Sequence, residues 1–173
     1  MTYAANTVVS VDKSRAEIEA TLVRYGASMY FSGWDEQHAF VRFCVRDRHI
    51  KLVLPLPKLD EERFTHHKDR NGFLRLNTPA KALDLFEQAK RSLFRALLLA
   101  IKAKLESVES RIETFEQAFL AHIVLPDQSL VGDRVKALVD EAYRTGRMGH
   151  LALEAGADDP VADAEFSDPA EAG

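Results

Sequence analysis

The 173-residue sequence has only one cysteine, Cys44, and no long apolar run. A single thiol cannot form an intrachain disulfide, so small disulfide-stabilised secreted domains are excluded and the chain suits a reducing cytoplasm. The longest apolar run, LLLAI at 97–101, is far shorter than the roughly 18 apolar residues that a membrane span needs. The first residues lack the basic and apolar regions of a signal peptide. We therefore expect a cytoplasmic protein with no membrane partner.

Recognisable catalytic and metal-binding motifs are also missing. The sequence has no G-x-S-x-G, no P-loop, no G-x-G-x-x-G and no H-E-x-x-H. His66 and His67 stand beside Asp69, but adjacent histidines do not easily chelate one metal ion. The sequence around Cys44 shows neither the base nor the oxyanion site that a cysteine nucleophile needs. These absences predict a non-enzymatic protein with no catalytic residues, no cofactor and no bound metal.

Charge is unevenly distributed along the chain. All 23 basic residues precede residue 154, whereas residues 154–173 contain seven of the 27 acidic residues. The net charge of −4 therefore divides into +3 for residues 1–153 and −7 for the rest. We predict a single α+β domain over 1–153 and a disordered acidic tail over 154–173. The tail keeps the protein soluble, competes with nucleic acid for the basic body, or binds a partner through Phe166.

The apolar pattern predicts one helix followed by three antiparallel strands. The helix covers 14–25, with Ser14 and Glu17 as a capping box and Gly26 just beyond its end. Alternation of apolar and polar residues predicts strands joined by turns at 33–36 and 47–48: 27–32, 38–46 and 49–55. A loop at 47–48 sets the following apolar pairs on one face, which is therefore the core face: Val45 with Ile50, Phe43 with Leu52, and Val41 with Leu54.

Long helices follow a charged connection at 56–78, which contains a turn signal at Asn71-Gly72. Thr78-Pro79 caps a long helix at about 79–123, although two helices with a break near 107–110 fit the pattern equally. A last helix is predicted at about 130–145. Helices packed on one face of a small antiparallel sheet make an α+β fold.

The opposite face of the predicted sheet carries basic residues with an aromatic among them. Arg42, Arg46 and Lys51 would neutralise phosphates. Phe40 would stack on a base, and Tyr30 would join it if the register of the first hairpin allows. A basic stripe on the long helix extends this candidate nucleic-acid surface: Lys90, Arg91 and Arg95. We predict binding of nucleic acid, while a merely solvated sheet face remains an open alternative.

A protein-interaction or structural module without a nucleic-acid role is the alternative function. The far half of the long helix would then present an apolar stripe to a second copy or to a host protein: Ile112, Phe115 and Phe119. A helix of about 40 residues outruns a small globular body, so we also expect a homo-oligomer.

Two resemblances add to this interpretation. The stretch FEQAKRSLFRALLLAIKAKLESVESRIETFEQAFLAHIVLPD, with EAYRTGRM, resembles small uncharacterised proteins of bacteriophages and prophages. The order of helix, three-stranded sheet and basic helix resembles the core of the Rad52-type single-strand annealing proteins. That resemblance implies an accessory factor of phage recombination that binds single-stranded DNA in the cytoplasm of a bacterial host. The same order is similar to a double-stranded RNA-binding domain, whose lysine-rich start of the last helix is missing here at 79–83.

Overall fold

A computed structural model describes Ala4 and residues 6–147 and confirms the α+β fold. The predicted acidic tail lies outside the described residues, so its boundary at residue 153 stays a prediction. The chain divides into two units, residues 1–136 and 137–173. The elements follow one another in this order: α1 (Val11–Arg24), β1 (Met29–Trp34), β2 (His38–Val45), β3 (Arg48–Pro55), α2 (Glu62–Thr65), β4 (His66–Lys68), β5 (Leu74–Leu76), α3 (Pro79–Glu109), α4 (Phe115–Phe119), a 3-10 turn (Leu120–His122) and α5 (Val131–Thr145).

Helix α1 begins earlier than the sequence pattern predicts. The side chain of Ser10 caps it by accepting a hydrogen bond from the amide of Lys13 at 3.2 Å. The predicted capping box is therefore wrong, because Ser14 lies inside the helix, where its buried hydroxyl has no partner among the described residues. Gly26, with φ of 85°, follows the end of the helix as predicted.

The first three strands form one antiparallel sheet in the order β1-β2-β3. The turn between β2 and β3 consists of Arg46 and Asp47, which both have left-handed backbones with φ of 50° and 61°. This pair of conformations is the one that favoured two-residue hairpins use. Val45 therefore pairs with Arg48 rather than with Ile50, and the predicted register is wrong by two residues. A shift of two leaves the side chains of the paired residues on their predicted faces, while Arg46 becomes part of the turn.

Strand β1 is displaced toward the C-terminus relative to its prediction. It runs over Met29–Trp34, so the predicted turn at 33–36 is wrong in its first half. The turn closes instead through Asp35, whose carboxylate accepts hydrogen bonds from the amides of Gln37 and His38, each at 2.7 Å. These amide hydrogen bonds, first that of Gln37 and then that of His38, hold the pKa of Asp35 below its usual value.

The hydrophobic core lies between one face of the sheet and the helices. We call this side of the sheet its inner face; it carries Ala39, Val41, Phe43, Val45, Ile50 and Leu52. Helices α1 and α3 pack against this face through buried aliphatic residues: Ile18, Leu22, Leu97, Leu98, Ile101 and Leu105. The ring of Phe43 meets the ring of Phe119 edge to face at 5.7 Å. Burial of one such side chain contributes about 1.5–3 kcal/mol, so this face supplies much of the stability.

Helix α3 begins as predicted but does not continue to residue 123. Thr78 caps it and Pro79 opens it. Its end is a Schellman motif: Arg111 is left-handed with φ of 58°, and the amide of Ile112 donates to the carbonyl of Ser107 at 3.0 Å. The prediction of one helix over about 79–123 is therefore wrong, and the break lies beside the one that the alternative placed near 107–110.

A second helix, α4, starts immediately after this break. Thr114 caps it in a capping box with Gln117, because each side chain receives a hydrogen bond from the backbone amide of the other residue. Helix α5 covers Val131–Thr145 and confirms the prediction of a last helix at about 130–145. Within the described residues, every helix is too short or too polar to cross a membrane.

Candidate nucleic-acid interface

The candidate site lies on the face of the sheet that points away from α1 and α3. We call it the outer face. Because directly paired residues of neighbouring strands share a face, the register assigns its members: Met29, Phe31, Gly33, His38, Phe40, Arg42, Cys44, His49, Lys51, Val53 and Pro55. Within these three fully described strands, no Asp or Glu belongs to the outer face.

Two cations lie opposite one another at the centre of the outer face. Arg42 of β2 pairs directly with Lys51 of β3, an arrangement that places like charges side by side and costs stability. The Nε atom of Arg42 is buried and donates to no partner among the described residues. A buried donor without a partner is costly, so this guanidinium favours an anion nearby. The outer face therefore presents positive charge without an acid on the three strands; the nearest acid in the hairpin is Asp47 of the turn, which lines a shallow pocket together with Arg42.

Two phenylalanines adjoin the cations. The rings of Phe31 and Phe40 lie 5.7 Å apart with an interplanar angle of 37°, and the Nζ atom of Lys51 lies 5.7 Å from the centre of the Phe40 ring. Phe31 is 59% exposed. In the cross-strand row, Phe31 pairs with Arg42, which in turn pairs with Lys51. An exposed aromatic ring beside two cations matches what a nucleotide requires, a flat surface for the base and positive charge for the phosphate.

Gly33 determines where the Phe40 ring lies. A Cβ atom added at Gly33 would lie 2.8 Å from Cζ of Phe40, a distance that real Cβ atoms essentially never show. The ring therefore occupies the space above the glycine of the neighbouring strand. Glycine in a strand commonly marks such a close approach. The absence of a side chain at this position brings the Phe40 ring toward β1 and Phe31.

Tyr30 does not belong to the outer face, and Phe31 takes its place. Tyr30 pairs with Phe43, so it lies on the inner face and packs against the core. The prediction that Tyr30 joins the site is therefore wrong. Sequence reasoning missed Phe31 because the first hairpin had no fixed register; the Asp35 turn, once recognised, sets the alternation of β1 and assigns Phe31 to the outer face.

Arg46 lies at the turn and not on the outer face. Its left-handed backbone interrupts the alternation of β2. The residue lines a cleft on the helix side of the sheet, together with Tyr25, Val108 and Glu109. The prediction that Arg46 acts together with Arg42 is therefore wrong.

The basic stripe of α3 is separated from the outer face by the sheet itself. Helix α3 packs against the inner face, and Arg95 donates to Glu17 of α1 at 2.7 Å. Lys90 pairs with Glu87 at 2.8 Å. Arg91 donates two hydrogen bonds to the side-chain oxygen of Gln88. Lys90, Arg91 and Arg95 therefore do not converge with Arg42 and Lys51 on one surface.

The predicted apolar interface is wrong for two of its three residues. Phe115 and Phe119 are buried in the core, with 3% and 0% exposure. Ile112 is 77% exposed in the segment between α3 and α4. The three predicted residues therefore do not form a continuous exposed stripe, although Leu120 in the same stretch is 53% exposed. A role as a protein-interaction module stays a prediction.

The histidines do not build a metal site within the described part of the chain. No group of three or more His, Cys, Asp or Glu is placed to hold a metal ion there. His66 and His67 pair with Leu76 and Arg75 respectively, and neighbouring strand residues point to opposite sides. Burial, and then the charge of Lys104, lowers the pKa of His122, which favours its neutral form.

Comparison of the chain with models of protein families, with curated proteins and with solved structures finds no match. The resemblances to phage proteins and to single-strand annealing proteins therefore stay predictions.

Proposed function

We propose that the chain binds single-stranded nucleic acid through the outer face, without catalysing a reaction. The observation that carries this proposal is the row formed by Phe31, Arg42 and Lys51 across three strands, with no acid on the same face. In this proposal the protein serves as an annealing or recombination accessory factor of a phage, in the cytoplasm of a bacterial host.

Stacking on Phe31 and Phe40 would supply most of the affinity. Base–aromatic stacking is worth about 1–3 kcal/mol per base and tolerates any sequence, because every base has a flat face. Single strands expose their bases for such contacts, whereas a duplex keeps them paired and stacked inside. The exposed ring of Phe31 therefore favours a single strand over a duplex at this site.

Arg42 and Lys51 would hold the phosphates that connect the stacked bases. Each phosphate contact on a single strand contributes a slope of about −0.7 to the dependence of log K on log salt concentration. A phosphate between the two side chains would also relieve their mutual repulsion and offer an acceptor to the buried Nε of Arg42. The repulsion between Arg42 and Lys51 and the missing partner of the Arg42 Nε atom, which are unfavourable in the unbound protein, would both be relieved in the complex.

The acidic tail and self-assembly complete the proposal. Removing residues 154–173 changes the net charge from −4 to +3, which lowers the long-range repulsion of a polyanion. We expect a chain ending at residue 153 to bind single strands more tightly at low salt than the full chain does. A homo-oligomer would multiply the number of outer faces available to one strand.

The test uses full-length protein and a labelled 20-nucleotide single strand without secondary structure, as DNA and as RNA, in a salt series. We expect binding that weakens with salt and that the variant Phe31→Ala/Lys51→Ala loses. The matched control Val23→Ala/Lys13→Ala removes one exposed apolar side chain and one lysine from α1 and should bind as the wild type does. Absence of binding to either strand at low salt, or equal losses in both variants, would refute the proposal.

A further inference from the structure

A second candidate surface lies in the hairpin formed by β4 and β5, which is separate from the three-stranded sheet. The side-chain amide of Asn77 anchors its base by donating to the carbonyls of Phe64 at 2.7 Å and His66 at 3.2 Å. Phe64 is itself buried against the ring of Phe86. The base of the hairpin is therefore attached to the body, while every residue of β5 is exposed.

The tip of the hairpin is held in one conformation by Asp69. Its carboxylate accepts hydrogen bonds from the amides of Asn71 and Phe73, each at 2.9 Å, and from Nε of Arg75 at 3.2 Å. Gly72 adopts φ of 83°, which a side chain would disfavour, and confirms the predicted turn at Asn71-Gly72. The only acid between residues 66 and 76 is thus committed to the turn.

The exposed surface of this hairpin combines cations with large apolar side chains. Lys68, Arg70 and Arg75 are its cations; Arg75 is paired with Asp69, so Lys68 and Arg70 give the hairpin a net charge of about +2. Phe73 is 64% exposed and Leu76 75% exposed. The register assigns Lys68 and Leu74 to one side and Arg75 to the other, so both sides of the ribbon carry charge. A two-stranded ribbon of this kind is only marginally stable in water by itself, so the contacts at its base hold it in place while its strands stay exposed.

We propose that the hairpin at residues 66–76 enters a groove of duplex nucleic acid. The major groove of B-DNA has the width to admit a two-stranded β-ribbon. Lys68 and Arg70 would contact phosphates on the groove walls, while Phe73 and the leucines would meet base edges or act as a wedge between base steps. This duplex site goes beyond the single-strand site of the outer face and is independent of it.

The positive charge of the hairpin favours duplex nucleic acid over a second copy of the chain as its partner. Two hairpins, each with three cations and one acid, repel one another. A two-fold pairing of β5 strands centred on Arg75 would also place two arginines directly opposite, which is destabilising. A polyanion removes both difficulties, because the cations then face phosphates.

The experiment measures binding of a labelled 20-base-pair blunt DNA duplex and of the 20-nucleotide single strand to the full-length protein. The variant Lys68→Ala/Arg70→Ala should weaken duplex binding by about tenfold or more and reduce the salt slope by about 1.8, because two phosphate contacts are lost. Phe73→Ser, at an exposed position, should weaken duplex binding while leaving the circular dichroism spectrum and melting temperature unchanged. The control Lys13→Ala/Lys102→Ala removes the same charge from α1 and α3.

The outcomes separate the two sites. Loss of duplex binding in the hairpin variants, with single-strand binding intact, supports the inference whether or not Phe31→Ala/Lys51→Ala behaves as proposed. Duplex binding that the hairpin variants retain, or no duplex binding by the wild type at low salt, overturns it. Equal losses in the control overturn it too. A change in sedimentation coefficient without a change in duplex affinity would identify a protein interface instead and likewise overturn it.

Discussion

The two faces of β2 alternate residue by residue along one strand, and they differ in charge and in the elements that they contact. Phe43 is fully buried and meets Phe119, whereas its neighbour Arg42 points to the other side, where it meets Lys51. The inner face is apolar and holds the helices, and the outer face is basic and aromatic. Because strand geometry separates adjacent residues by the thickness of the sheet, stability and recognition can be altered independently.

The largest effect is expected from Phe43→Ala on the inner face. Removing a fully buried phenylalanine side chain typically costs about 3–5 kcal/mol, since it leaves a cavity as well as losing buried area. Urea unfolding monitored by circular dichroism should show this loss. A cost similar to that of an exposed residue would mean that the two faces do not differ as described.

Phe31→Ala on the outer face should lower the affinity for a single strand and hardly change the stability. The side chain is largely exposed, so the free energy of unfolding should change by less than about 1 kcal/mol. Affinity for a single strand should fall by about 1–3 kcal/mol, the worth of one stacked base. Fluorescence anisotropy and urea unfolding on the same sample give both quantities, and a variant that loses stability but keeps affinity would reverse the assignment.

Gly33→Ala probes the contact that positions the Phe40 ring. A Cβ atom at 2.8 Å from Cζ of Phe40 forces the ring away from its rotamer, at a cost of about 0.5–1.5 kcal/mol. The chemical shifts of Phe31 ring protons should change with it, because the two rings are neighbours. The double variant Gly33→Ala/Phe40→Leu should recover the stability, and a failure to do so would place the strain elsewhere.

The smallest effect on stability is expected from Lys51→Gln. Relief of the repulsion from Arg42, worth about 0.2–1 kcal/mol, is offset by loss of the cation–π contact with Phe40, worth about 0.5–1 kcal/mol. The melting temperature should therefore hardly move, while the salt slope for a single strand should fall by about 0.7. Lys102→Gln serves as control, and an unchanged slope for Lys51→Gln would exclude a phosphate contact there.

The element order could be predicted because the sequence shows both apolar patterns clearly: alternation in the strands and a spacing of three or four residues in the helices. The faces of β2 and β3 were also predictable, since alternation survives a register shift of two. The register itself was not, because Arg46 and Asp47 adopt left-handed conformations that sequences usually assign to glycine or asparagine. The end of α3 could not be predicted for the same reason, because Arg111 adopts the left-handed conformation at a position where glycine is usual. The Thr114-x-x-Gln117 capping box is a sequence pattern that indicates the start of a new helix. The apolar periodicity alone continues across the break and does not reveal it.

The candidate site was predictable only within one strand pair. Phe40, Arg42 and Lys51 follow from alternation along β2 and β3. Whether a residue from β1 or α3 joins them depends on contacts between distant parts of the chain. The ion pair between Arg95 and Glu17 spans 78 positions and has no local signature.

The conformation of the turn at Arg46-Asp47 should also affect the rate at which the domain folds. Hairpins close in about 1–10 μs when their turn conformations are readily visited. Residues with side chains adopt the left-handed conformation at a cost of about 1–2 kcal/mol each, so an unfolded chain seldom holds two in a row. We therefore expect nucleation of the β2–β3 hairpin to be slow. An Asn-Gly sequence at these two positions would accelerate refolding through its turn alone, without touching either face of the sheet.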